Sequence, residues 1–150
     1  MKHIALILLI WSLALPLMAG NKDKHSKQEF RAKKEAYLKE KAGLTDEEAK
    51  AFFPLYFQLE DLKKNVNEKA WSKARTGENP NTTEEEYQKI INTYFDTQVQ
   101  EAELEKEFIE KFKTIISGKK IYLVYRAEIK FNRNMLKIMH PEKEIKKKGL

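Results

Sequence analysis

Apolar residues recur at every third or fourth position over most of the chain, a period that predicts amphipathic helices. The strongest example is the stretch 44–66, LTDEEAKAFFPLYFQLEDLKKNV. Thr45 and Glu48 have the spacing of a capping box, so a helix should begin here. Pro54 lies inside the pattern, which continues in phase beyond it, so we expect a bend and not an end. One helical stripe of this stretch consists of Phe52, Tyr56, Leu59, Lys63 and Val66.

The same stretch has more aromatic side chains than one packing contact requires. Phe53 and Phe57 lie off the stripe, so the helix is apolar around much of its circumference. Two interpretations stay open. The two rings belong to a core or a dimer contact, which is the default for phenylalanine, or they form part of a patch that binds a partner.

Helix-start and helix-stop signals divide the chain into four helices, two of them long. Ser26 with Glu29 and Thr83 with Glu86 are further capping boxes, and Gly43 is a stop signal. The predicted helices cover 26–41, 46–75, 84–116 and 119–139, with a loop at 76–83 and a thinly packed polar stretch at 98–107. The predicted fold class is therefore all-α.

The two ends of the chain differ from this helical part. A basic start at Lys2, an apolar run and small residues after it are typical of a secretory signal peptide, with cleavage near Ala19 or Gly20. The apolar run is too short for a membrane span. Residues 21–27 are polar and predict a mobile leader before the first helix. The predicted segments are a signal peptide at 1–20, a helical domain at 21–140 and a basic flexible tail at 141–150.

The amino-acid composition restricts the kinds of partner that the protein could bind. The chain has no cysteine, so disulfides do not stabilise it. It has 29 Lys and Arg against 23 Asp and Glu. A basic balance can indicate nucleic acid as a partner, but export makes anionic surfaces or unfolded polypeptides better candidates. We expect no nucleic-acid partner and no membrane insertion after the signal is cleaved.

The sequence contains little of what an enzyme or a metal site needs. It has no phosphate-binding glycine loop, nucleophile elbow or paired-histidine zinc motif. After the signal peptide only His25 and His140 remain, far apart in the sequence. His140 with Glu142 and Glu144 would bind a metal at most loosely. No catalytic residue, cofactor or metal site is expected.

Two stretches of the chain begin alike, each with an aliphatic residue followed by a hydroxyl residue. Leu44 and Thr45 precede one helix as Ile116 and Ser117 precede another, and the apolar residues that follow fall in the same phase. The first stretch resembles the LTxxQ-motif family of periplasmic proteins, which includes the Spy and CpxP chaperones, and above all its short members in Bacteroidetes. The residues that carry the resemblance are Leu44, Thr45, Glu48, Ala49, Phe52, Pro54 and Tyr56, and in the second stretch Tyr125, Arg126, Ala127, Glu128 and Phe131.

The resemblance implies a fold and a function. The fold would be four helices in a thin, curved, hairpin-like layer that forms a dimeric cradle. The function would be ATP-independent holding of unfolded envelope proteins in the periplasm. Leu44, Thr45, Glu48, Ile116 and Ser117 would be the motif residues at the helix starts. Client or dimer contacts would involve Phe52, Phe53, Tyr56, Phe57, Lys63 and Arg75.

Two alternatives to this function stay open. The first is a regulatory module that binds the periplasmic domain of a membrane stress sensor. The second is a protein that responds to metal stress. Measured suppression of aggregation, a single membrane partner, or metal binding would distinguish the three.

Overall fold

A computed structural model describes residues 19–139 of the chain, and side chains from 26 to 138. Within this part the chain forms α-helices and no strand, so the all-α prediction is confirmed. A 3₁₀ turn at Thr76–Glu78 lies between the second and third helices. The four helices are α1 (Ala19–Ala42), α2 (Asp46–Arg75), α3 (Glu84–Lys113) and α4 (Gly118–Met139).

The chain divides into two compact units, Met1–Lys33 and Lys34–Leu150. The described part of the first unit is a single helical segment, and its Phe30 is exposed. All contacts reported below lie within the second unit. Most of the predicted signal peptide, and the tail at 141–150, lie outside the described residues.

The first helix begins earlier than the sequence predicted. It starts at Ala19, so the predicted start at Ser26 and the mobile leader at 21–27 are wrong. A capping box shows where a helix can begin, but the residues before Ser26 have no proline or glycine after Gly20 to stop a helix from extending backward. The polar residues at 21–27 give the segment no apolar face to bury. Polar residues can still form an exposed helix, and they do so here.

The end of α1 is where Gly43 predicted it. Gly43 has a φ of +63°, a conformation that glycine adopts without the strain a side chain would cause. The amide of Leu44 donates to the carbonyl of Lys39 at 3.1 Å, and the amide of Gly43 donates to that of Glu40 at 3.3 Å. This pair of bonds is a Schellman motif, and it turns the chain directly into α2.

Helix α2 has the predicted bounds and the predicted capping box. The Glu48 amide donates to Thr45 Oγ1 at 3.2 Å, and the Thr45 amide donates to Glu48 Oε2 at 2.8 Å. Three acidic residues fill the first turn, where they oppose the positive end of the helix dipole. Pro54 lies inside the helix, which continues through it to Arg75 as expected.

Helix α3 starts with the predicted Thr83–Glu86 capping box but ends earlier than predicted. The prediction placed its end near Ile116, and the helix ends at Lys113. The Thr114 hydroxyl donates to the Lys111 carbonyl at 2.7 Å, and the turn that follows places the side chain of Ile116 in the core.

The apolar core lies at one end of the α2–α3 pair. It is formed by the end of α1, the first half of α2, the end of α3 and the inner face of α4. The rings of Phe52 and Phe112 have centroids 4.7 Å apart and join the two long helices. On α4, Ile121, Val124 and Phe131 are buried, whereas Ile138 is exposed. The largest fully buried side chains are Phe52, Phe108, Phe112, Leu38 and Val124.

Candidate binding surface

The aromatic cluster of α2 is part of the core. Phe52 is 1% exposed and Phe53 is 2% exposed, and Tyr56 is also buried. Phe57 is half-buried and stacks on Phe53 with ring centroids 5.9 Å apart. The sequence left open whether Phe53 and Phe57 belong to a core, a dimer contact or a binding patch. Phe53 is buried in the chain's own core together with Phe52 and Tyr56, whereas Phe57 is only half-buried. The three buried side chains have almost no surface left for a partner.

The two basic residues predicted beside this cluster lie apart from each other. Lys63 pairs with Glu105 across the α2–α3 contact. Arg75 is exposed at the last position of α2, about 18 Å further along the helix at 1.5 Å per residue. The predicted client or dimer residues therefore do not form one site.

The two motif corners are joined by an ion pair. Leu44 and Ile116 are both buried. Lys120, in the first turn of α4, donates to Glu48 Oε1 and Oε2 at 2.7 and 2.6 Å. Because Lys120 and the Thr45 amide both donate to this carboxylate, the pKa of Glu48 is lowered from its usual value. Its carboxylate thus caps α2 and also connects α2 to α4.

A buried lysine connects three helices. Lys34 of α1 is 3% exposed. Its Nζ donates to Glu128 of α4 at 2.9 Å and to Glu60 of α2, and it lies 5.2 Å from the ring centroid of Tyr56. Burial, followed by the nearby charge of Glu128, raises the pKa of Tyr56. One cation thus faces two carboxylates between α1, α2 and α4.

A structural role for Lys34 was not predicted from the sequence, because a lysine on a basic helix usually lies on a solvated face. A signal was present, because Lys34 lies four residues after Phe30 and four before Leu38 and therefore falls on the apolar stripe of α1. A charged residue at a core position is informative because lysine is rarely buried without a partner.

Beyond the core, polar side chains form contacts between α2 and α3. Lys63 pairs with Glu105, and the Asn67 amide donates to Glu101. No residue of 98–107 is buried, which confirms the predicted thin packing of that stretch. Near the turn, the Tyr87 hydroxyl donates to the Gly77 carbonyl at 3.2 Å. Thr97 is the only buried residue described between Leu59 and Phe108.

This half of the helix pair exposes large apolar side chains, which we call the hairpin-end surface. Phe95 is 61% exposed and Trp71 is 65% exposed. Exposed apolar residues are normal when isolated, but a group of them indicates an interaction site. The hairpin-end surface consists of Trp71 of α2 and Tyr87, Ile91, Tyr94, Phe95 and Val99 of α3.

A groove between the two helices forms part of this surface. It encloses about 220 Å³, with Trp71 and Tyr94 among its walls. Tyr94 and Phe95 meet edge to face with ring centroids 5.4 Å apart. The remaining walls are Asn67, Ala70, Ala74, Ile90, Thr97 and Gln98. A concave apolar site with a few polar groups suits one apolar side chain of a partner.

Comparisons with protein-family models, with curated proteins and with solved structures found no match. Over the described residues, no three His, Cys, Asp or Glu side chains are grouped so that they could hold a metal ion. None of the four helices, as far as they are described, combines the length and the hydropathy that crossing a bilayer requires.

Proposed function

We propose that the protein is an exported, ATP-independent chaperone that holds unfolded polypeptides on its hairpin-end surface. The observation that carries this proposal is the exposure of six large apolar side chains on α2 and α3, beyond the part of the helix pair that contains the core. A folded protein that leaves such a group in water needs a partner for it.

The chemistry of the surface suits many clients instead of one. Aromatic and aliphatic side chains supply contacts that do not depend on a client's order of residues. The same half of the helix pair also carries exposed charges of both signs, including Lys89 and Asp96 on α3. Such charges attract polypeptides over distances that exceed the apolar contacts. Release requires no nucleotide, because each contact is weak and non-covalent.

Two sequence features support the proposed export and the proposed chaperone activity. The first is the predicted signal peptide, which would deliver the protein to the periplasm. The second is the resemblance of the Leu44–Tyr56 and Tyr125–Phe131 stretches to the LTxxQ-motif chaperones. The proposal differs from what the resemblance implied in one respect. It places client binding on α3 and Trp71, because Phe52, Phe53 and Tyr56 are buried.

The test is suppression of aggregation by the purified mature protein without ATP. At near-stoichiometric ratio we expect it to reduce light scattering from several chemically unrelated clients as they unfold. The variant Ile91→Gln/Phe95→Gln/Val99→Gln should need several-fold more protein for the same effect. All three side chains are exposed, so its circular dichroism and thermal midpoint should match those of the parent.

A matched control removes exposed apolar side chains outside this surface. Phe30→Gln/Ile138→Gln changes two of them and should leave suppression unchanged. An equal loss of suppression in both variants would show that clients bind nonspecifically to exposed apolar side chains anywhere on the protein, and not to this surface. No suppression by the parent protein with any client would refute the chaperone proposal. If capture then returned one stoichiometric membrane protein, the sensor-binding alternative would be favoured.

A further inference from the structure

The outer face of α4 exposes a second set of apolar side chains. Tyr122, Ile129 and Leu136 are 61%, 63% and 57% exposed. They are spaced by seven residues, and because two helical turns contain about 7.2 residues, they lie in one line along the helix. The line faces away from the inner face that carries Val124 and Phe131 into the core.

Basic side chains lie alongside this apolar line. Arg126 and Arg133 are spaced by seven residues from each other and are exposed, as is Lys130. The helix has one acidic residue, Glu128, and its carboxylate bonds to Lys34 between the helices. The exposed face of α4 therefore combines aliphatic and aromatic groups with positive charge and contains no carboxylate.

A pocket beside this face has a cationic rim. It lies between α1 and α4, encloses about 140 Å³, and is lined by Tyr37, Lys41, Leu123, Arg126, Ala127 and Lys130. Lys41 pairs with the exposed Glu40 at 2.6 Å. Arg126 and Lys130 form no ion pair with any described residue, so they are free to bind an anion. Two unpaired cations beside a small pocket suit a phosphate group.

We infer that the α1–α4 face binds the surface of an anionic phospholipid membrane. A headgroup phosphate occupies the pocket next to Arg126 and Lys130, while Ile129, Leu136 and Tyr122 enter the boundary between headgroups and acyl chains. A basic face with a line of apolar residues is the pattern of helices that lie in this interface. Nucleic acid offers the phosphates but has no hydrocarbon layer for exposed isoleucine and leucine.

Membrane binding by α4 is separate from the proposed chaperone activity, because α3 and Trp71 carry the latter. The mature full-length protein should co-sediment with vesicles of phosphatidylcholine containing phosphatidylglycerol. Binding to vesicles of phosphatidylcholine alone should be at least about tenfold weaker, since each basic residue near an anionic surface adds attraction. Raising the salt concentration should weaken binding to the anionic vesicles.

Two variants test the basic residues and the apolar residues of this face separately. Arg126→Glu/Lys130→Glu should lose binding to anionic vesicles by at least about tenfold. Ile129→Ser/Leu136→Ser should lose a comparable amount without altering the net charge. The matched control is Lys64→Glu/Lys106→Glu, which reverses two exposed lysines on α2 and α3 and should bind nearly as the parent does. Circular dichroism of each variant reports that the helices are intact.

Three results would overturn the inference. In the first, the control variant loses as much binding as Arg126→Glu/Lys130→Glu, so that net charge alone is responsible. In the second, glycerol phosphate in free solution binds as tightly as vesicles do, so that the pocket recognises an isolated phosphate. In the third, sedimentation equilibrium shows self-association that the α4 variants abolish while vesicles bind none of the proteins, so that the face contacts a second copy.

Discussion

At the scale of single residues, Lys34 is the most informative position of the protein. Its stem lies on the apolar stripe of α1, and its ammonium group reaches Glu60 and Glu128, which are attached to two other helices. A buried ion pair contributes little net stability compared with well-packed apolar residues, but removal of one partner is strongly destabilising. We therefore expect Lys34 to favour the arrangement in which these faces of α1, α2 and α4 meet.

This role leads to a prediction about stability. Lys34→Met should lower the free energy of unfolding by about 3 kcal/mol, because two partly buried carboxylates lose their cation. The triple variant Lys34→Met/Glu60→Gln/Glu128→Gln should recover more than half of that loss. Chemical denaturation followed by circular dichroism measures both. Lys33→Met, at the exposed neighbouring position, is the control and should change stability by less than about 0.5 kcal/mol.

If the triple variant were as unstable as the single one, lost packing of the lysine stem would be the cause. The partners of Lys34 could not be predicted from the sequence. The sequence places Lys34 on the correct face of α1, but which carboxylates reach it depends on how α2 and α4 pack, and Glu60 and Glu128 are 26 and 94 residues away.

At the scale of elements, the sequence predicted the helix boundaries that depend only on neighbouring residues. Thr45 and Thr83 cap α2 and α3 as their sequences indicated, because a capping box involves only four consecutive residues. The predicted end of α3 near Ile116 was wrong, because the helix ends at Lys113, where the amide and hydroxyl of Thr114 donate to the Lys111 carbonyl. The start of α1 was wrong because Ser26 and Glu29 fit a cap but also fit a continuous helix.

The Glu48–Lys120 pair gives an element-scale prediction about pH. The pKa of Glu48 is lowered in the folded protein, so the unfolded chain binds more protons in the range between the two values. The stabilisation is complete above the unfolded pKa of glutamate, about 4.3, and is lost as the pH falls through the folded pKa. The thermal midpoint of Glu48→Gln should therefore fall less steeply between about pH 5 and pH 3 than that of the parent.

Differential scanning calorimetry at several pH values measures this slope. Glu47→Gln is the matched control, since Glu47 is an exposed neighbour in the same first turn. Its slope should remain close to that of the parent. A Glu48→Gln slope equal to that of Glu47→Gln would mean that the bond to Lys120 contributes nothing beyond ordinary charge at the helix start.

At the scale of the whole molecule, burial is unevenly distributed along the two longest helices. Phe108 and Phe112 near the end of α3 are buried, whereas Ile91 and Phe95 near its start are exposed although the helix is continuous. The sequence shows that all four residues are apolar. It does not show which of them another helix covers, and this is why the hairpin-end surface was found only in the structure.

The uneven burial predicts unequal protection within one helix. Amide hydrogens of α3 between 88 and 96 should exchange at least about tenfold faster than those between 104 and 112, because opening the first half exposes little apolar area. Hydrogen exchange followed by mass spectrometry on overlapping peptides resolves the two halves. Uniform protection would show instead that α3 opens as one unit, and a partner covering the first half would raise protection there alone.

The position of Trp71 gives the hairpin-end surface its own optical reporter. The chain contains two tryptophans, and the other, Trp11, lies in the segment predicted to be removed on export. In the mature protein the whole indole emission would then come from one exposed ring at the wall of the α2–α3 groove. A client that covers the ring would shift its emission to shorter wavelength and protect it from soluble quenchers, so occupancy could be followed in real time without any added label.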